Sequence, residues 1–179
     1  MNTTQVGVTK LTYTAFFVAL TAVLSFITIP LPFSLVPVSG QSLAVMLTGS
    51  ILPVRQALWT MVIYLLLGSV GIPVFAGFGG GIGVVAGPTG GYLLSYLPAV
   101  LVIALLKRKS NKLGIFIMAN LVGGIGVVYF VGVLWLSMVT GMSVEKAALA
   151  GALPFIPGDM VKVVIASVVG RALHQRMVQ

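Results

Sequence analysis

The stretch that decides the fold is residues 56–106, QALWTMVIYLLLGSVGIPVFAGFGGGIGVVAGPTGGYLLSYLPAVLVIALL, which contains no charged residue over 51 positions. A helix that crosses the hydrocarbon core of a bilayer needs about 20 predominantly apolar residues, so this run is long enough for two spans. Two further uncharged runs lie at residues 11–54 and 113–144. The pattern predicts an all-α integral membrane protein surrounded by membrane lipid.

The composition agrees with this interpretation. Of 179 residues, 59% are hydrophobic, 7% are charged and none is cysteine, and the mean hydropathy is +1.16. A soluble domain carries about 25% charged residues. The composition therefore excludes a soluble enzyme, a disulfide-rich secreted scaffold and a disordered chain. The net charge of +8 does not indicate nucleic-acid binding, because the basic residues form short clusters between the apolar runs.

These basic clusters predict the topology. Lys10 precedes the first run, Arg55 follows it, a cluster at 107–112 follows the second, and Arg171 and Arg176 close the chain. If the first two runs contain two spans each, all clusters return to one side, which the positive-inside rule makes the cytoplasm. We therefore predict a bundle of six transmembrane helices, with both termini cytoplasmic, in one membrane domain over the whole chain.

The predicted spans cover residues 11–29, 40–52, 57–71, 87–106, 113–139 and 157–173. The second and third are short for a membrane crossing. The first also resembles a secretory signal peptide, but its length and the apolar character of the rest of the chain favour a span.

Glycine and proline collect in the segments that this topology places outside. Three prolines lie between residues 30 and 37, nine glycines lie from Gly71 to Gly91, and Pro154 and Pro157 precede the last span. Non-helical backbone at membrane depth occurs only where protein buries it or where it lines a cavity. We therefore expect a ligand pocket near the extracellular face, with plain connecting loops as the alternative.

Asp159 and Lys162 are the first candidates for the site, because they lie in the otherwise apolar stretch PFIPGDMVKVVIASVVG, residues 154–170. Pro157 suits the first turn of a helix, where a carboxylate meets the positive end of the helix dipole. Residues three apart share a helix face. Charges inside a membrane mark a ligand site or pathway by default. The alternatives are a pair that only neutralises itself, or side chains that reach the outer interface.

The sequence GPTGGY, Gly87–Tyr92, is the second candidate, because glycines allow close approach of the backbone to a ligand. It lacks the GK[ST] ending of a P-loop, and the upstream Gly81-x-Gly83-x-x-Ala86 has no βαβ context for a dinucleotide site. Gln41, at the outer start of the second span, is a further candidate. The aromatic residues Tyr129 and Trp135 are interpreted as interface or packing residues.

Several types of chemistry are excluded. The single histidine, His174, lies in the tail, and no cysteine, histidine pair or carboxylate pair supplies a metal site or a hydrolytic centre. We predict no enzyme activity, no cofactor and no metal. The acidic residue Glu145 is expected in the first turn of a short helix capped by Ser143. Asn120 is expected to form an interhelical hydrogen bond.

Three segments together resemble the BioY family, the biotin-specific S components of energy-coupling factor (ECF) transporters. They are VPVSGQSLAVMLTG (36–49), GIPVFAGFGGGIGVVAGPTGGYLLSYLPA (71–99) and LPFIPGDMVKVVIAS (153–167), and the resemblance runs from about residue 10 to 175. The resemblance implies a six-helix bundle that captures biotin. It also implies assembly with a membrane T component and two cytoplasmic ATPase subunits that drive uptake.

The resemblance also implies roles for individual residues. Asp159 and Lys162 match the family's polar pair, and Asp159 is expected to accept hydrogen bonds from the ureido N–H groups of biotin. Lys162 either pairs with the ligand carboxylate or only holds Asp159 ionised. The residues expected to line the pocket are Gly87, Thr89, Gly90, Gly91, Tyr92, Gln41 and Phe75.

Ala15 and Ala19 match an Ala-x-x-x-Ala motif that docks to the T component. Small residues at this spacing also pack helices within one protein, so internal packing is the alternative.

Other functions remain open at this point. A stand-alone facilitator or channel for biotin or another small polar solute explains the same polar pair in an apolar chain. A structural or assembly subunit explains it if the pair only neutralises itself. A membrane enzyme is the weakest alternative, for lack of catalytic groups.

Overall fold

The computed structural model describes residues 3–32, 34–108 and 111–178, and within these ranges the side chains from residue 7 to residue 175. Part of the basic cluster at 107–112 and the side chain of Arg176 therefore lie outside the described residues. The α-helices are α1 (Thr3–Phe26), α2 (Gln41–Ile51), α3 (Val54–Ser69), α4 (Ile82–Ala86), α5 (Gly90–Lys107), α6 (Leu113–Ala119), α7 (Val128–Thr140), α8 (Val144–Gly151) and α9 (Ile156–Val178).

The remaining elements are short. A π-helical segment, Asn120–Val127, joins α6 to α7 without a break, and 3-10 turns lie at Ala76–Phe78 and Leu153–Phe155. Two strands, β1 (Thr28–Ile29) and β2 (Val38–Ser39), pair antiparallel between α1 and α2.

Among the described residues, four helical stretches are long and apolar enough to cross a membrane: Gly7–Phe26, Gly90–Lys107, Leu113–Thr140 and Val144–Gln175. The helices α2 and α3 are apolar but shorter. The predicted all-α membrane class is confirmed by these elements. A membrane crossing by each of the predicted spans stays a prediction.

The helix boundaries differ from the predicted spans at several points. Helix α1 begins at Thr3, well before residue 11, and α9 continues to Val178. The spans were predicted from uncharged runs, but a single charged residue marks the edge of the apolar core and does not end a helix. The glycine-rich loop from Gly71 to Gly91 contains the short helix α4, so α5 begins at Gly90 instead of Gly87.

Four basic residues, Lys10, Arg55, Lys107 and Arg171, lie at one end of the bundle, which we call the basic end. The Lys107 ammonium donates to the carbonyl of Leu52 at 2.6 Å, and the His174 ring lies 3.3 Å from the carbonyl of Ile51. Arg171 donates to the carbonyl of Asn111 at 2.9 Å. Two basic side chains thus meet the negative C-terminal end of α2.

The opposite end carries the strands, the 3-10 turns and the start of α9, and we call it the cavity end. Between the two ends, α2 packs closely against its neighbours. A Cβ added at Gly170 of α9 would lie 2.4 Å from the Cβ of Ser50, so only glycine allows this approach. The amide of Asn120 donates to the hydroxyls of Ser50 and Ser167, each at 3.0 Å. The predicted interhelical hydrogen bond of Asn120 is confirmed, and it ties α2 and α9 to the π-helical segment.

Candidate functional site

A cavity opens at the cavity end, between α2, α5, α7, α9 and the loops beside them. The centres of water molecules can occupy about 140 Å³ of it, where a single water needs about 10–15 Å³. Its walls are mostly apolar and aromatic. The polar residues on its walls are Ser39, Gln41, Ser42, Thr89, Tyr92, Tyr96, Tyr129, Asp159 and Lys162.

Asp159 and Lys162 form an ion pair on the cavity wall. Lys162 Nζ lies 2.7 Å from Asp159 Oδ1, and Asp159 is 5% exposed. Helix α9 begins at Ile156, so the carboxylate lies in its first turn, where the helix dipole stabilises negative charge. The predicted shared face of the two residues is therefore confirmed. Both side chains line the cavity.

The Lys162 ammonium has a protein acceptor for each of its three hydrogens. Besides Asp159, it donates to the carbonyl of Ser39 at 2.8 Å and to the hydroxyl of Ser42 at 2.9 Å. The Ser42 hydroxyl in turn donates to Asp159 Oδ1 at 3.1 Å. An ammonium has three donors and no acceptor. Lys162 therefore joins β2, α2 and α9 and has no hydrogen left for another group.

Tyr129 completes the environment of the carboxylate, and sequence reasoning missed it. Its hydroxyl donates a hydrogen bond to Asp159 Oδ2. Asn120 and Tyr129 are nine residues apart, about 2.5 turns of an α-helix, so a regular helix would place them on opposite faces. Both nevertheless contact α9, because the π-helical segment between them has wider i→i+5 turns.

Gln41 and Phe75 are brought together at another wall of the cavity. The Gln41 amide donates to the hydroxyl of Tyr64, which donates to the carbonyl of Val74 at 2.8 Å. The Phe75 ring lies edge-on to the Tyr64 ring, with centroids 5.5 Å apart. Both candidate residues are buried and line the cavity.

Tyr92 lines the cavity, with its ring wedged between two helices. A Cβ added at Gly132 of α7 would lie 2.3 Å from the Tyr92 ring, and one added at Gly151 of α8 would lie 2.2 Å from the Tyr92 hydroxyl. The hydroxyl donates to the carbonyl of Gly151 at 2.8 Å. Tyr92 is thus fixed in position before any ligand arrives.

The residues of the GPTGGY sequence differ in their relation to the cavity. The walls of the cavity include Thr89 and Tyr92, whereas Gly87, Gly90 and Gly91 are not among the lining residues. A Cβ at Gly90 would lie 1.7 Å from the carbonyl oxygen of Val85, and one at Gly91 would lie 2.1 Å from the Cβ of Trp135. Close packing between helices therefore explains these two glycines.

Gly87 has a related role. Its carbonyl accepts a hydrogen bond from the Trp135 indole at 2.9 Å. The predicted packing role of Trp135 is confirmed, since it joins α7 to the chain just before α5.

The capped helix predicted near Glu145 is also confirmed, because Ser143 caps α8.

Ala15 and Ala19 lie on an exposed face of α1, with neighbours such as Leu11 and Phe16 that are 67% and 58% exposed. The alternative that they pack inside this protein is therefore wrong. An apolar face of this kind contacts lipid or another membrane protein.

Sequence reasoning missed Tyr96 as well, although Tyr96 lies on the same face of α5 as Tyr92, four residues on. That spacing is the signal that would have found it. Ser39 and Ser42 had no signal of their own in the sequence.

Within the described part of the chain, no cluster of three or more histidine, aspartate or glutamate residues suits a metal ion.

Comparisons with known proteins agree on one family. The family model described as BioY family matches residues 1–179. The chain is 37% identical over 178 residues to the biotin transporter BioY of Rhodobacter capsulatus, covering 93% of each chain. It is 38% identical over 166 residues to the biotin transporter BioY2 of Lactococcus lactis, covering 92% of this chain and 89% of the relative.

A solved structure gives the same result. The crystal structure of the S-component for biotin from an ECF-type ABC transporter superposes with a TM-score of 0.91 at 31% sequence identity. The match covers 98% of this chain and 95% of that chain.

We predict that Gly132→Ala lowers the thermal unfolding temperature by several degrees, because the new methyl group displaces the Tyr92 ring and overpacking typically costs about 1–3 kcal/mol. Gly114→Ala is the matched control, since nothing lies within 4 Å of the added Cβ. Thermal unfolding of both variants in detergent checks this. An equal effect of the two substitutions would contradict the proposed packing of Tyr92.

Proposed function

Because this chain belongs to the BioY family, we propose that it is the substrate-binding S component of an ECF transporter and that it captures biotin for uptake. It is a multi-pass protein of the plasma membrane and a transport protein, not an enzyme. The observation that carries the proposal is the buried Asp159–Lys162 pair on the wall of a mostly apolar cavity. Biotin combines an apolar ring with a ureido group and a carboxylate, which suits such a cavity.

In the proposed topology, the whole chain is one membrane domain with six spans and with the cavity open to the extracellular side. The basic end then lies in the cytoplasm together with both termini. The positive-inside rule supports this orientation, because Lys10, Arg55, Lys107 and Arg171 belong to that end.

We assign Asp159 to the ureido group. An ionised carboxylate offers about four acceptor positions. Oδ1 accepts from Lys162 and Ser42, and Oδ2 accepts from Tyr129. One position on Oδ2 is left, and in the proposed complex it accepts a ureido N–H. A charged acceptor makes this hydrogen bond stronger than one between neutral groups.

Lys162 then holds Asp159 in place and ionised, and does not meet the ligand carboxylate. All three of its hydrogens already have acceptors in the protein. The carboxylate of biotin is assigned instead to Thr89 at the N-terminus of α5. The described residues offer the Thr89 hydroxyl no hydrogen-bond partner, and the positive end of the helix dipole favours an anion there.

The remaining site residues have two kinds of role in this proposal. Tyr92 and Phe75 supply aromatic walls for the bicyclic ring, and Gln41 adds a polar group beside Phe75. Gly87, Gly90 and Gly91 act indirectly, since they permit the close packing that positions Thr89 and Tyr92.

The proposed partners are a membrane T component and two cytoplasmic ATPase subunits, with Ala15 and Ala19 at the interface with the T component. No nucleotide-binding motif occurs in the sequence, so energy must come from elsewhere. No cofactor is part of the proposal.

In the alternative, the protein is a stand-alone facilitator or channel. Buried Met46, Ile103 and Val163 fill the interior below the cavity, which favours a closed binding subunit.

The proposal predicts that the purified protein binds biotin in isothermal titration and gives no heat with an unrelated vitamin such as riboflavin. Asp159→Asn should weaken biotin binding about 10- to 150-fold, as expected for loss of a hydrogen bond to a charged group. Lys146→Ala is the control, because Lys146 is exposed on α8. No heat with biotin in the wild-type protein would reject the proposal.

A second titration separates the two roles considered for Lys162. Lys162→Ala should weaken binding of biotin and of biotin amide by the same factor, because Asp159 serves the ureido group that both ligands share. Thr89→Ala should weaken biotin more than biotin amide, because only biotin has a carboxylate. A selective loss of biotin binding in Lys162→Ala would show that Lys162 pairs with the carboxylate.

For the partner interface, Ala15→Leu combined with Ala19→Leu should abolish ATP-driven uptake and leave biotin binding unchanged, because larger side chains prevent close helix contact. Ala172→Leu is the matched control on the exposed surface of α9. Uptake is measured in vesicles that contain the complete transporter, and binding is measured on the isolated protein. Normal uptake by the double variant would rule out this face as the docking surface.

A further inference from the structure

Tyr96 carries a hydroxyl group for which the protein supplies no partner. Its side chain is 5% exposed and lies on the cavity wall. Among the described residues, none forms a hydrogen bond with this hydroxyl. The residue as a whole is almost completely buried, so little of it can meet bulk solvent.

The hydroxyl of Tyr96 opens into the cavity. In the described part of the chain, every polar side-chain atom that is sealed from solvent has a hydrogen-bond partner. The unpaired Tyr96 hydroxyl is therefore one that still meets open space. Since the residue is almost completely buried and lines the cavity, that space is the cavity itself.

The other hydroxyls on the cavity wall show why Tyr96 is exceptional. Ser42 and Tyr129 donate to the Asp159 carboxylate, Tyr92 donates to the carbonyl of Gly151, and Ser39 donates to the Gln41 side chain. Each of these four hydroxyls already donates its hydrogen to another group of the protein. Tyr96 and Thr89 have the only uncommitted hydroxyl hydrogens among the described residues of this wall.

These two hydroxyls belong to different levels of the cavity. Thr89 precedes the first residue of α5, and Tyr96 lies seven positions further along, about 10 Å down the helix axis at 1.5 Å per residue. Asp159 lines the same cavity as Tyr96. The cavity wall thus combines an open acceptor position on Asp159 with a free donor on Tyr96, which lies deeper along α5 than Thr89.

We propose that Tyr96 is a ligand-binding residue whose hydroxyl donates a hydrogen bond to the carbonyl oxygen of the ligand's cyclic urea. This inference rests on the proposed function, because it takes biotin as the ligand. A cyclic urea places a carbonyl acceptor directly beside N–H donors. The wall provides the complementary pair, with Tyr96 as donor and Asp159 as acceptor, so the ligand lies along α5 with its urea at the deeper level.

Tyr96→Phe tests this assignment, because it removes one oxygen atom and keeps the ring. The variant should bind biotin and desthiobiotin about tenfold more weakly, by the same factor for both, since both contain the cyclic urea. Its unfolding temperature without ligand should stay the same or rise, because the lost hydroxyl had no partner. Tyr92→Phe should instead lower the unfolding temperature, because the Gly151 carbonyl loses its donor.

A ligand change tests the same contact in the wild-type protein. 2-Thiobiotin replaces the urea carbonyl with a thiocarbonyl, which is a weaker acceptor. The wild-type protein should bind it more weakly than biotin, and Tyr96→Phe should reduce this difference. Tyr13→Phe, on the exposed surface of α1, is the control and should behave as wild type.

The outcomes separate the two proposals. If the wild-type protein binds biotin and Tyr96→Phe binds it equally well, the assignment of Tyr96 is wrong and the proposed function stands. A loss for biotin without a loss for desthiobiotin would place the hydroxyl at the sulfur-containing ring, and would also overturn the assignment. Equal affinity of the wild-type protein for biotin and 2-thiobiotin would overturn it as well. Failure of the wild-type protein to bind biotin would reject the proposed function itself.

Discussion

An ion pair inside an apolar membrane protein needs further hydrogen bonds to its ammonium and its carboxylate, and this constraint shapes the whole cavity end. Removing an ammonium and a carboxylate from water costs several kcal/mol per ion, and their attraction repays the cost only when further hydrogen bonds complete the site. Here Lys162 has three acceptors and Asp159 has three donors. The groups that make these hydrogen bonds belong to β2, α2, α7 and α9, so the pair fixes these four elements against one another.

This arrangement explains why some polar groups of the cavity form hydrogen bonds within the protein while others remain available to a ligand. Hydroxyls close to the ion pair are used to complete it, and Tyr92 is used to hold α8. What remains for a ligand is one acceptor position on Asp159 and the hydroxyls of Tyr96 and Thr89. A small number of placed polar groups within apolar and aromatic walls is typical of a small-molecule site. The rest of the bundle, closely packed around Asn120 and Gly170, keeps these groups in position.

Much of the fold and part of the site could be predicted from the sequence. Uncharged runs identify apolar helices because lipid tolerates little charge, and a carboxylate and an ammonium three residues apart must share a helix face. The partners of that pair could not be predicted. Tyr129 contacts Asp159 only because a π-helical segment changes the register of its helix. The spacing of apolar residues in the sequence does not predict this segment.

The glycines illustrate a second limit. A glycine allows close approach of any neighbour, and the sequence does not say whether that neighbour is a ligand or another helix. Gly90 and Gly91 closely approach the Val85 carbonyl and Trp135, so here the close neighbours are other parts of the protein. Ser42 and Ser39 gave no signal, because serines of this kind acquire a role only through residues more than a hundred positions away.

The most direct test of the central claim is a high-resolution structure of the protein with bound biotin. The account predicts that a ureido N–H of the ligand meets Asp159 Oδ2, while the Lys162 ammonium keeps its hydrogen bonds to the Ser39 carbonyl, Ser42 and Asp159. A structure in which Lys162 has left these partners for the ligand carboxylate, or in which biotin lies away from Asp159, would contradict it.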